Sequence, residues 1–81
     1  MNFQLYTDVV LQSDLPEEGL RAGDIGTVVD RHDVADLAPG YSVEFFDMLG
    51  QTVAIATLPG SLLRVPTHSD RPTVRSEALS A

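Results

Sequence analysis

Asp30, His32, Asp33 and Asp36 stand close together in the chain and offer carboxylate oxygens and an imidazole, the ligand types that divalent cations take. Their spacing follows no known metal-binding loop, so the stretch reads as a solvated acidic loop and no metal ligand is assigned. Glu17 and Glu18 form the other carboxylate pair. Neighbours in an extended chain point to opposite sides, so these two cannot flank one scissile bond as acid and base. Ser13, Ser42 and Ser61 have no His placed by motif to activate them, and nothing resembles a nucleophile elbow. The absence of Cys removes thiol nucleophiles and thiolate zinc sites together. The chain therefore reads as a non-enzyme without a catalytic residue or a cofactor.

Residues suited to recognition fall in two places. Asp14, Leu15, Glu17, Glu18 and Asp24 belong to a long loop, 12–24, in which Pro16 and Gly19 bracket a polar segment pinned by Leu15 and Leu20. Phe46, Met48 and Leu49 put apolar side chains at a hairpin tip where polar residues ordinarily serve, as an interface would require. Together these eight positions are the expected partner-binding set.

The elements that must hold them are short strands. Asp8–Leu11 is a brief apolar run, with Val9 and Leu11 on one face. Ala22-Gly23-Asp24 supplies a turn into the β-branched run Ile25–Asp30, with Ile25, Thr27 and Val29 on one side. Gly26 inside that run marks a bend or another backbone passing close by. Tyr41–Phe45 alternates strictly, with Tyr41, Val43 and Phe45 inward. Asp47–Gly50 turns the chain into Gln51–Thr57, with Val53 and Ile55 on its core face. Leu58–Ser61 forms one 3₁₀ turn before a last strand, Leu62–Pro66. The expected fold is all-β, a five-stranded SH3-like barrel over residues 1–66 followed by a disordered tail, 67–81. Its expected core is Val9, Leu11, Leu20, Ile25, Val29, Val43, Phe45, Val53, Ile55, Leu62 and Val65.

Eighty-one residues make one small domain, whose stability a partner can supplement. Twelve acidic residues face five Arg and no Lys, a formal net charge of −7. Ten of the acids and three of the Arg lie in residues 1–66, with two of each in 67–81, so the whole imbalance belongs to the barrel. Phosphate backbones would be repelled, which excludes direct nucleic-acid binding and favours a larger protein partner with a basic surface. No apolar run is long enough to span a bilayer, and Met1–Gln4 lacks the layout of a signal peptide, so no membrane partner and a cytoplasmic location are expected.

Asp14-Leu15-Pro16-Glu17-Glu18-Gly19-Leu20 and Gly23-Asp24-Ile25-Gly26-Thr27-Val28-Val29, continued by Tyr41–Phe45, Asp47, Gly50, Thr52–Ala54, Thr57-Leu58 and Leu63-Arg64, resemble the small bacterial family called domain of unknown function 4926. The likeness covers about residues 5–66. It implies a small stand-alone chain of the kind encoded beside larger, often toxin-like proteins, hence an antitoxin, immunity-type or regulatory role. The alternative is a structural accessory subunit of a multi-subunit redox-type enzyme complex. The resemblance assigns no catalytic residue. Leu20–Asp24 is also similar to the diverging turn of signalling SH3 domains, but the chain has no Trp and lacks the aromatic groove that polyproline ligands need.

Overall fold

A computed structural model describes residues 2–72, 74 and 75. Residues 73 and 76–81, part of the expected tail, lie outside the described residues. Five strands form one antiparallel sheet: β1 (Asp8–Leu11), β2 (Ile25–His32), β3 (Gly40–Phe46), β4 (Thr52–Pro59) and β5 (Leu63–Arg64), in the order β4-β3-β2-β1-β5. The chain is all-β, as its short alternating runs require. One 3₁₀ turn, Gly60–Leu62, joins β4 to β5, and a second, Pro16–Glu18, lies in the long loop. β4 continues past Thr57 because Leu58 pairs with Tyr41 and Pro59 with Gly40. Proline is tolerated there, at the end of a strand with a neighbour on one side only.

Residues from all five strands enter a single core cluster: Val9 and Leu11 of β1, Val28 of β2, Tyr41, Val43 and Phe45 of β3, Ala56 and Leu58 of β4, and Leu63 of β5, joined by Phe3 and Leu20. A lone sheet can bury one face against itself only by curling, which brings the side chains of its two end strands into the same interior. Phe3 closes one end of that interior. Its ring meets Tyr41 edge-on at 5.2 Å and 81°, and its N–H donates to the Tyr41 hydroxyl at 3.1 Å, satisfying a polar atom on a fully buried side chain. The N-terminal segment is held by two further bonds, Tyr6 N–H to the Val28 carbonyl and Val28 N–H to the Thr7 carbonyl.

Two strands face the other way from the sequence expectation. In β2 it is Gly26 and Val28 that turn inward, not Ile25 and Val29. A Cβ on Gly26 would lie 2.6 Å from Val43 Cγ1, 2.9 Å from the Glu44 carbonyl and 3.0 Å from Phe45 Cδ1, so the space a side chain would need belongs to β3. The register then shifts between Val28 and Asp30, a bulge that leaves Val29 only half-buried. In β4, Ala56 and Leu58 face the core, while Val53 and Ile55 are 54% and 59% exposed. The reason is volume. Phe45 stands opposite Ala54 and Val43 opposite Ala56, so large side chains on β3 take small partners on β4. Leu63 replaces Leu62 and Val65 as the buried residue of the last strand, with Leu62 packed at the core's margin and Val65 exposed. Val10 is buried as well but outside the core cluster, in register with Ile25 and Arg64.

Beyond β5 the chain turns back on Arg64. Its guanidinium donates to both Asp70 oxygens at 2.9 and 2.7 Å, and Thr67 N–H donates to Asp70 Oδ2 at 2.6 Å. The Arg64 bonds first, and then the Thr67 N–H, hold the Asp70 carboxyl well below the usual carboxylate range; the same contact raises Arg64.

Two outcomes follow from these contacts. Gly26→Ala places a methyl group against a backbone carbonyl that cannot rotate away, and should cost about 1–3 kcal/mol, lowering Tm by roughly 5–20 °C in a domain of this size; an unchanged calorimetric midpoint would refute the close approach. A carboxyl with a depressed folded-state pKa adds stability above the unfolded value, near ~3.9, and loses it as pH falls toward the folded one. Urea midpoints measured below about pH 4 should therefore fall less steeply with acid in Asp70→Asn than in the wild type.

Candidate functional site

The long loop folds into a flap. Leu15 and Leu20 form an antiparallel bridge with reciprocal N–H to carbonyl bonds of 2.9 and 3.1 Å, and the Pro16–Glu18 turn fills the space between them. Pro16 suits the first position of that turn, where a missing N–H leaves nothing unpaired. Gly19 ends the turn at φ 70°, a left-handed conformation that glycine adopts without strain. Two carboxylates brace the base of the flap. Asp14 Oδ1 accepts the Ala22 N–H at 2.9 Å, while Asp24 Oδ2 accepts the Arg21 N–H at 3.0 Å and the Arg75 guanidinium at 2.6 Å. Asp24 is buried, so its carboxylate serves the turn and not the surface.

Between the flap and β4 lies an open groove of about 460 Å³, lined by Asp14, Leu15, Pro16, Glu17 and Glu18 on one side and by Ile55–Leu58 on the other. Asp14, Glu17 and Glu18 are exposed at its rim, and Leu15 is half-buried against the core. The structure thus gathers four of the expected recognition residues into one groove. It sets the other group at the far end of β4. There the Asp47 carboxylate accepts N–H bonds from Leu49 and Gln51, both at 2.9 Å, which fixes the tip while Met48 and Leu49 project into solvent. Phe46, Val53 and Ile55 are exposed between the tip and the groove. Pro16 and all four β4 residues of the groove lie outside the expected partner-binding set, and among them Ile55, assigned from sequence to the core, is the large exposed apolar one. The strand's alternation was legible, but its phase depends on which small residues fit opposite Val43 and Phe45.

The outer face also carries a polar chain that no motif announced. His32 Nε2 lies 2.8 Å from Ser42 Oγ, which lies 2.9 Å from Thr57 Oγ1, and Asp30 Oδ2 stands 3.8 Å from the same His32 nitrogen. Asp30 pairs with Ser42 across the bulge, and Ser42 with Thr57, so strand register alone brings these residues together. A serine triad needs the carboxylate on the other ring nitrogen, where it would orient the base. Here both partners share Nε2, which makes an exposed cross-strand polar ladder. In the acidic loop, Asp33 is drawn to Arg31 Nε at 3.0 Å, and among the described residues no three His, Asp or Glu side chains converge as metal ligands. No helix among the described residues is long and apolar enough to cross a membrane.

A family model described as "Domain of unknown function (DUF4926)" matches residues 5–65, and the chain belongs to that family. No curated protein and no solved structure gives a significant match.

The phase of β4 decides whether the groove has an apolar wall, and equilibrium urea unfolding reads it directly. Ile55→Lys should keep stability within about 0.5 kcal/mol of the wild type, whereas Leu58→Ala should lose about 2–5 kcal/mol. The reverse order would return Ile55 to the core.

Proposed function

We propose that this chain is a non-enzymatic protein-binding module of antitoxin, immunity or regulatory type, which covers a basic site on a larger partner in the bacterial cytoplasm. The observation that carries this reading is the juxtaposition of the acidic rim Asp14, Glu17 and Glu18 with the exposed apolar residues of β4, on a chain of net charge −7. A loop braced on a rigid sheet is where recognition residues gather. Negative potential steers a basic partner into encounter, and the apolar row supplies area to bury once it has docked.

An affinity pull-down from a native-host lysate, run at low and high salt with the wild type and with Glu17→Gln/Glu18→Gln, tests it. A stoichiometric basic protein should be captured at low salt and lost both at high salt and by the variant. No partner at either salt refutes the reading. A partner held in fixed ratio and indifferent to salt supports a structural accessory subunit instead.

A further inference from the structure

Sheet order leaves two terminal strands, and they differ. β5 has only two residues, and a short edge offers little to pair with. β4 has eight, Thr52–Pro59, and among the described residues its one ladder is with β3. Natural edges are shielded by charge, by proline, by bulges or by a covering segment. β4 contains no charged residue, its Pro59 comes last, and the register shift of its ladder falls at the opposite end, beside Phe46. The flap does not cover it either: the groove runs between Asp14–Glu18 and Ile55–Leu58.

We propose that this groove receives an extended segment of a basic protein, which pairs with β4 as a sixth strand. Its basic side chains meet Asp14, Glu17 and Glu18, and its apolar side chains lie beside Ile55 and Val53. The inference rests on the protein-binding reading above and adds the mode of binding and the chemistry of the bound segment. Residues 55–58 give a wall about 13 Å long at roughly 3.3 Å per residue, room for a segment of about four residues. In strand addition the main-chain bonds supply affinity, and alternate side chains supply selectivity. Charge selects the occupant. A second copy pairing through its own β4 would bring two acidic rims and two chains of −7 together, whereas a basic segment is attracted to the same rim.

The test uses the full chain and a fluorescein-labelled peptide of alternating Lys and Val. The peptide is compared with two versions N-methylated on the backbone, one at the odd and one at the even positions. A strand pairs through one edge, so in anisotropy titrations one methylated version should bind about tenfold or more weakly while the other stays within about threefold of the parent. Ile55→Lys should weaken the parent peptide by about tenfold or more, and Glu17→Gln/Glu18→Gln should weaken it and flatten its salt dependence. Amide exchange should slow along residues 52–59. Equal binding by both methylated peptides, or full binding by Ile55→Lys, overturns strand addition; a lysate partner still captured through the acidic rim would leave the broader reading standing. Absence of binding by the parent peptide overturns the inference, as does a wild-type dimer in size-exclusion chromatography that Ile55→Lys dissociates.

Discussion

At Gly26 the backbones of β2 and β3 approach so closely that even a methyl group would strike Val43, Phe45 and the Glu44 carbonyl. Most of the molecule's geometry follows from that contact. It places Gly26 and Val28 on the concave side, which sends Ile25 and Thr27 to the other face, and the bulge at Val29 then restores the pairing of Asp30 with Ser42. Because β3 fills the space above Gly26 with Val43 and Phe45, β4 has room only for alanines opposite them. Val53 and Ile55, which alternate with those alanines, are therefore turned outward, while Leu58 follows the alanines inward opposite Tyr41. The exposed row that borders the groove is thus a consequence of packing on the opposite face of the same strand.

This chain of dependence also explains what the sequence could and could not disclose. β3 was legible because Tyr41-Ser42-Val43-Glu44-Phe45 alternates between strongly apolar and polar residues, which leaves a single phase. Thr-Val-Ala-Ile-Ala-Thr-Leu in β4 is apolar on both faces. Hydropathy there chooses Val53 and Ile55, while volume chooses Ala54 and Ala56 opposite Phe45 and Val43 and carries Leu58 inward with them, and volume governs a close-packed interior. In β2 the close approach of another backbone was legible from Gly26, but hydropathy chose Ile25 and Val29 over the glycine as the inward positions. The flap was legible as a loop from Pro16 and Gly19, and so were its rim acids. That Ile55 forms the facing wall, and that His32 reaches Ser42, depends on register, which two bulges set and no local pattern records.

The flap owes its form to bonds that differ in reach. The Leu15–Leu20 bridge and the Pro16–Glu18 turn are local and pre-shape it, so its exposed carboxylates stand on ordered backbone. Asp14 and Asp24 then tie it to the turn preceding β2, and the two leucines tie it to the core. Less conformational entropy remains to be lost when such a loop meets a partner than when a free loop does. Asp24 carries the larger structural share of this bracing, because its buried oxygen answers both a backbone N–H and the Arg75 guanidinium.

An edge strand whose outer side no described residue pairs with, and that has apolar flanks, is a hazard, since any second copy offers the same edge. Between the register shift beside Phe46 and the terminal Pro59, local protection is missing in β4: no Lys, no inward charge and no early proline interrupt it. The charge of the whole domain can take that place. Ten acidic residues against three Arg in residues 1–66 set like charges against each other whenever two copies approach, at distances up to the Debye length of about 8 Å at physiological salt. The same field draws in a partner of opposite sign. Under the proposed strand addition, acidity performs two tasks with one set of residues, rejecting self-pairing through β4 and admitting a basic strand to the same edge. That account requires the charge to be carried by residues 1–66 and not by 67–81, and the distribution of residues meets the requirement.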